Sequence, residues 1–152
     1  MTRECSGANM SANPKASVLL LRAAKGDADA QAGLADWCLE QATRTGHITQ
    51  ALAMAEFSAR LAASQGAAEH RHSLARLLVR SSDHAFEIGD LHSGTSHRAE
   101  AIALLDELAD EGNEEAAQEF IELVGDSPPE LVAFAGRLRR REVAAQLESD
   151  AR

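Results

Sequence analysis

The chain has 152 residues and a formal net charge of −9 at pH 7, and 45% of its residues are hydrophobic but only 3% aromatic. This length fits one domain with a continuous core, and the Ala- and Leu-rich apolar content favours packed helices over a sheet sandwich. The acidic excess argues against general nucleic-acid binding, because phosphate contacts need a surplus of Lys and Arg. The longest apolar run near the N-terminus, residues 18–21, is too short for a signal peptide or a membrane span. We therefore expect a cytoplasmic protein without membrane contact.

The N-terminal residues 1–12 are rich in Ser, Asn and Gly and have no hydrophobic period, so we expect a disordered tail there. Asn13-Pro14 is typical of a helix start, and the helix that it opens extends to Lys25. Cys5 in the tail and Cys38 on an apolar helix face are not in a CxxC pattern. We interpret them as a free thiol and a small buried hydrophobe rather than as a disulfide or a metal site.

A pattern of apolar residues recurs three times, starting from glycines that are 40 and 46 residues apart, Gly26, Gly66 and Gly112. Eight, nine, eleven and twelve residues after each glycine the residue is apolar, which is the spacing of one helical face. These positions are Leu34, Ala35, Trp37 and Cys38, then Leu74, Ala75, Leu77 and Leu78, and finally Phe120, Ile121, Leu123 and Val124. An internal repeat with this period indicates an array of helical pairs.

The periodicity and the helix-end signals predict about seven helices and no strand. We place the helices at about 14–25, 28–44, 48–65, 67–88, 96–111, 114–124 and 128–147. The third carries one stripe of alanines and a second stripe of Met54, Phe57 and Leu61, which indicates a helix sandwiched between neighbours. Between the fourth and fifth helices we expect a loop at Asp90–Thr95, a candidate contact loop because loops often carry function.

The string G-D-x-x-A-Q-x-x-L-A at Gly26–Ala35, with an Ala-rich helix that ends in AASQG at Ala62–Gly66, resembles the SEL-one-like repeat, a relative of the tetratricopeptide (TPR) repeat. Residues Glu100–Phe120 look like another junction of this kind. The resemblance implies an all-α fold, an α-α superhelix of about seven antiparallel helices that serves as a protein-interaction scaffold. Stacked pairs bury a continuous core and leave an extended curved face. Residues 13–126 would form the repeat domain and residues 127–152 a capping helix.

The resemblance also implies a concave surface that is lined by the first helix of each pair. The predicted partner-binding residues on it are Asp36, Glu40, His72, Arg76, Arg80 and Glu122, and Asp29, Glu69, Glu115 and Gln118 lie on the same surface. His72, Arg76 and Arg80 stand out independently, because a spacing of four residues forms one stripe on a helix. Two arginines on one face could clamp the carboxylate of a peptide. The alternative is a solvated face whose arginines pair with Asp36, Glu40 or Glu122.

Three hypotheses about function stay open. The first is a non-enzymatic scaffold without cofactor that binds a protein or peptide, because the sequence contains no catalytic constellation. The second is a small metal-binding or enzymatic protein that uses the histidines from His70 to His97. His-x-His on a helix points its rings about 200° apart, so we predict no metal site. The third is an oligomerising regulatory subunit that would form a homodimer through its C-terminal helix. In so acidic a chain, the basic residues Arg137 and Arg139–Arg141 of that helix are little support for a nucleic-acid or lipid contact. The apolar residues Leu131, Phe134 and Leu138 instead favour a helix that caps the last repeat.

Overall fold

The computed structural model describes the backbone of residues 14–152 and the side chains of residues 16–152, so the predicted tail at residues 1–12 lies outside the described part. All regular structure in this part is helical, which confirms the all-α prediction. The helices are α1 (Pro14–Ala24), α2 (Ala28–Thr45), α3 (Ile48–Ala63), α4 (Ala68–Glu87), α5 (Leu91–Asp110), α6 (Glu114–Gly125) and α7 (Pro129–Asp150). The superhelical arrangement of these helices stays a prediction.

The three repeat glycines end helices α1, α3 and α5. All adopt the left-handed backbone conformation, with φ of 86° at Gly26 and 92° at both Gly66 and Gly112. Residues with a Cβ rarely take this conformation, so glycine is the natural helix stop. Asp27 and Asn113 follow the first and third glycines, and each caps the next helix by accepting a hydrogen bond from the third helical N–H at 3.0 Å. The sequence repeat is therefore a repeat of helix stops and helix starts.

The predicted contact loop at residues 90–95 is wrong, because α5 begins at Leu91. The Asp90 side chain accepts a hydrogen bond from the Ser93 backbone N–H at 3.1 Å and thereby caps α5. Gly94 lies buried inside this helix, where a Cβ would be 2.6 Å from the Phe86 ring of α4. The polar, glycine-containing residues 90–95 thus form the start of α5, which packs closely against α4.

The chain divides into two compact units, one that ends at Gln65 and one that begins at Gly66. In the first unit α2 packs against both α1 and α3. Its buried apolar residues are nearly all small: Ala30, Ala35, Cys38, Ala42, Ala51, Leu52, Ala55, Ala59 and Ala62 are among them. Small side chains let helix axes approach closely. Gln31 fixes the helix ends, since its amide donates to the Ala23 carbonyl at 3.1 Å and accepts from Gln65 at 3.0 Å.

In the second unit α5 lies at the centre and packs against α4, α6 and α7. The fully buried side chains here include Leu78, Leu105 and Leu108. The predicted repeat positions in α4 are all buried, whereas Ile121 in α6 is 63% exposed. The prediction that Ile121 is buried is therefore wrong, and no described helix of the second unit covers this side of α6. The predicted boundary at residues 126 and 127 stays a prediction.

Candidate functional site

The predicted basic stripe of His72, Arg76 and Arg80 lies on α4, where two of its members contact acids of α6. Nε2 of the buried His72 lies 3.0 Å from Oε2 of Glu119. The half-exposed Arg76 donates from Nε to Oε1 of Glu119 at 2.9 Å and from Nη2 to Oε1 of Glu115 at 2.7 Å. We call His72, Arg76, Glu115 and Glu119 the α4–α6 ion-pair cluster.

The cluster holds its acid and its guanidinium in their charged forms. Partial burial alone would raise the pKa of Glu119, but the hydrogen bonds from Arg76 and His72 outweigh burial and hold this pKa below its usual value. The hydrogen bonds to Glu119 and Glu115 in turn raise the pKa of Arg76. Charge-assisted bonds of this kind are the stronger ones in proteins. The guanidinium predicted to clamp a partner is therefore already engaged within the chain.

The alternative interpretation predicts that the arginines of the stripe pair with acids of neighbouring helices. Arg76 does form such ion pairs, but its partners are not the predicted acids. The predicted acids are Asp36, Glu40 and Glu122. Arg76 instead pairs with Glu115 and Glu119, which are four residues apart on α6 and so reach one guanidinium together. Glu122 accepts a hydrogen bond from the Gln118 amide at 2.9 Å. Asp36 and Glu40 are exposed on α2 in the first unit.

Arg80 is separated from the other members of the stripe. Its side chain is exposed, and among residues 16–152 this side chain has no hydrogen bond or ion pair. Beside the ion-pair cluster lies a cavity of about 280 Å³. Its lining includes Arg76, Glu119, Glu122 and Asp126 but not Arg80. The structure thus brings Arg76 and Glu122 together at one cavity, which apolar residues also line, and leaves Arg80 outside it.

Arg71 of α4 forms a second ion-pair network, and Arg71 is not among the site residues predicted from the sequence. Its Nη1 donates to Glu107 at 2.9 Å and to Glu111 at 2.8 Å, and its Nη2 donates to Glu111 at 2.6 Å. The hydrogen bond from Arg71 lowers the pKa of Glu111 below its usual value. The available signal was the repeated spacing of Glu107 with Glu111 and of Glu115 with Glu119, since acids four apart share one helix face.

The histidines of the metal hypothesis are divided between two helices. His70, His72 and His84 belong to α4, and His92 and His97 belong to α5. Within residues 66–152, no three His, Cys, Asp or Glu side chains bring ligand atoms close enough to share an ion. His72 also has a carboxylate partner in Glu119. A metal site that uses these histidines stays a hypothesis.

Another cavity lies in the first unit, as an apolar groove over α2 between α1 and α3. It has a volume of about 510 Å³. The lining includes Leu20 of α1, Leu34 and Cys38 of α2, and Met54, Phe57 and Leu61 of α3. Burial raises the pKa of the Cys38 thiol, so this side chain stays neutral and adds to the apolar wall. We call this cavity the α1–α3 groove.

The prediction that both stripes of α3 are sandwiched is correct for its alanines and wrong for its larger residues. Met54, Phe57 and Leu61 are 44%, 68% and 41% exposed. Their helical spacing indicates a packed face, but no described helix of the first unit covers them. An apolar stripe looks the same in sequence whether its partner helix belongs to the chain or not.

Comparisons of the chain with family models, with curated proteins and with solved structures found no match. Among the helices of residues 14–152, none combines the length and the apolar character needed to cross a bilayer.

Proposed function

We propose that this chain is a non-enzymatic protein-interaction module, built from SEL-one-like or TPR-like helical repeats, that binds a helical peptide of a partner protein. The observation that carries the proposal is the α1–α3 groove, with three large apolar side chains of α3 exposed along its wall. Soluble proteins rarely expose contiguous apolar patches without use, and such patches commonly mark binding surfaces.

The groove favours an amphipathic helix as its occupant. Met54, Phe57 and Leu61 are spaced by three and four residues and so form one ridge over two turns of α3. A partner helix with apolar residues at the same spacing can set its own ridge beside this one. The groove lies between two helices that both rest on α2, so a fourth helix would complete a layer that the first unit leaves open.

The polar stripe of α4 is a second contact surface in this proposal. His72 and Arg76 already have acidic partners in α6, so a partner carboxylate would have to displace Glu115 or Glu119 from Arg76. Arg80 is the stripe member that can bind a carboxylate without such a displacement. Glu122, Asp36 and Glu40 offer exposed carboxylates for basic partner residues. These groups would add orientation and selectivity rather than most of the affinity.

The experiment uses a fluorescent amphipathic peptide of about 16 residues, four to five helical turns, with leucines along one face. Its anisotropy is titrated with wild type, with Phe57→Asp and with Leu91→Asp. Phe57 and Leu91 are both 68% exposed, so neither change should unfold the protein, and only Phe57 lies in the groove. We expect binding by wild type and by Leu91→Asp, and a loss of at least about tenfold for Phe57→Asp.

Equal binding by all three proteins, or by none, would contradict the groove as the site. An added Arg80→Glu variant tests the polar stripe without breaking an ion pair of the fold. The probe for this surface is a separate peptide with a free C-terminal carboxylate, which should lose a few-fold of affinity for this variant, whereas its amidated form should not.

A further inference from the structure

The C-terminal half of α7 extends beyond the part of this helix that is packed in the core. Leu131 and Ala135, near its start, are buried, and α7 packs on α5. From residue 140 to residue 152 every residue is exposed. About three turns of α7 thus extend without covering a core of their own. The third functional hypothesis, association through this helix, depends on what those turns present to solvent.

One face of the exposed half carries a short, ordered pattern of side chains. Arg140, Val143, Leu147 and Asp150 are spaced by three, four and three residues, so they form a single stripe along α7. Val143 is 42% and Leu147 65% exposed. The stripe lies about 120° around the helix from the side of Leu131 and Ala135. We call these four residues the C-terminal seam.

The charges at the two ends of the seam are poorly compensated within the chain. Arg140 is exposed and, among the described side chains, has no hydrogen bond or ion pair. Asp150 accepts one hydrogen bond from the Gln146 amide at 2.8 Å. Its carboxylate stands in the last turn of α7, where the helix dipole disfavours negative charge, and no basic residue occupies that turn.

We propose that the C-terminal seam pairs with the seam of a second copy of this chain in antiparallel orientation. A two-fold axis at the level of Ala145 places Arg140 opposite Asp150 of the partner and Val143 opposite Leu147 of the partner, and repeats both contacts by symmetry. The self-complementary order basic, apolar, apolar, acidic is what selects this orientation. A parallel pair in register would instead place Arg140 against Arg140 and Asp150 against Asp150.

Antiparallel pairing also offsets the unfavourable position of the Asp150 carboxylate in the last turn of α7. Each acidic helix end then lies beside the arginine of the other copy, and the two helix dipoles oppose each other favourably. The seam contains only two large apolar side chains per copy, so the contact belongs to the small, reversible class of interfaces. The dimer is therefore expected to depend on protein concentration and to weaken in high salt, because its end contacts are exposed ion pairs.

The test is sedimentation equilibrium of the full chain over a wide concentration range, with Arg140→Asp, Asp150→Arg and the double exchange of both residues. Each single change places like charges at both ends of the antiparallel seam and should weaken the dimer by about tenfold or more. The double exchange restores opposite charges and should recover the wild-type constant. A mixture of the two single variants should also associate, since every end contact in that heterodimer is Asp with Arg.

Circular dichroism serves as the folding control, because all the exchanged side chains are exposed and helicity should not change. A wild type that stays monomeric at every concentration would overturn the proposal. Single variants that dimerise as well as wild type, or a double exchange that fails to recover the constant, would overturn the antiparallel register. Binding of the helical peptide at the α1–α3 groove is independent of these outcomes, since the groove residues are unchanged.

Discussion

The two units of this chain achieve helix packing in opposite ways. The first packs three helices through alanines and leaves its large apolar residues Met54, Phe57 and Leu61 at the surface. The second buries large leucines around α5 and ties α4 to its neighbours through Arg71 and Arg76. A core of alanines lets helices approach but buries little apolar area per residue, whereas leucines supply most of the burial free energy. The comparison shows that the large apolar side chains lie in the core of the second unit and at the surface of the first.

The largest expected effect comes from the leucine core of the second unit. Leu78→Ala removes a fully buried side chain of α4 and should lower the free energy of unfolding by about 2–5 kcal/mol, since the cavity closes only in part. Ile121→Ala is the control, because Ile121 is 63% exposed and should change stability by less than about 0.5 kcal/mol. Chemical denaturation measures both. Equal effects would mean that the described burial of these two positions is incorrect.

A second comparison uses one helical glycine from each unit. A Cβ at Gly94 would lie 2.6 Å from the Phe86 ring, so Gly94→Ala should destabilise the protein by about 1–3 kcal/mol. At Gly33 the nearest atom is the end of the flexible Leu19 side chain at 3.2 Å. Gly33→Ala should therefore be neutral or stabilising through its gain in helix propensity. Thermal denaturation of the two variants decides the point, and Gly94→Ala should cost less stability in a Phe86→Ala background than in wild type, because the ring that it clashes with is then absent.

A smaller effect is expected from the pH dependence of the α4–α6 ion-pair cluster. The pKa of Glu119 is lower in the folded chain than its usual value of 4.5. The carboxylate therefore contributes stability above about pH 4.5 and loses it as the pH falls through the folded pKa, where folding no longer favours the ionised form. Glu119→Gln should lower the free energy of unfolding by on the order of 1 kcal/mol at neutral pH. The stability of this variant should also fall less steeply than that of wild type as the pH is lowered through the folded pKa of Glu119.

The matched control for the pH measurement is Glu114→Gln. Glu114 is exposed on the same helix, and none of the described ion pairs involves it. Unfolding by denaturant is followed from pH 3 to pH 7 for wild type and both variants. If the stability of Glu119→Gln fell with pH as steeply as that of wild type, the ion-pair cluster would not couple stability to pH.

Much of the helix order followed from local signals. The glycines at positions 26, 66 and 112 and the caps Asp27 and Asn113 act through the backbone of their immediate neighbours, so they can be recognised without knowing the fold. The same local reasoning fails at Gly94, where a residue that usually ends helices is retained inside one because a ring on another helix needs the space. The local sequence therefore does not show whether a glycine ends a helix or makes room for a side chain of a neighbouring helix.

The sequence by itself determined the helical class, the repeated starts and stops of helices and the membership of the α4 stripe, because these depend on periodicity and on nearest neighbours. Only the tertiary structure decided that Arg76 pairs with Glu115 and Glu119, that Ile121 is exposed and that Phe57 lines an open groove. These outcomes depend on which helices lie side by side and at what register. That arrangement is set by all the core contacts of a unit together, so no single stretch of sequence contains it.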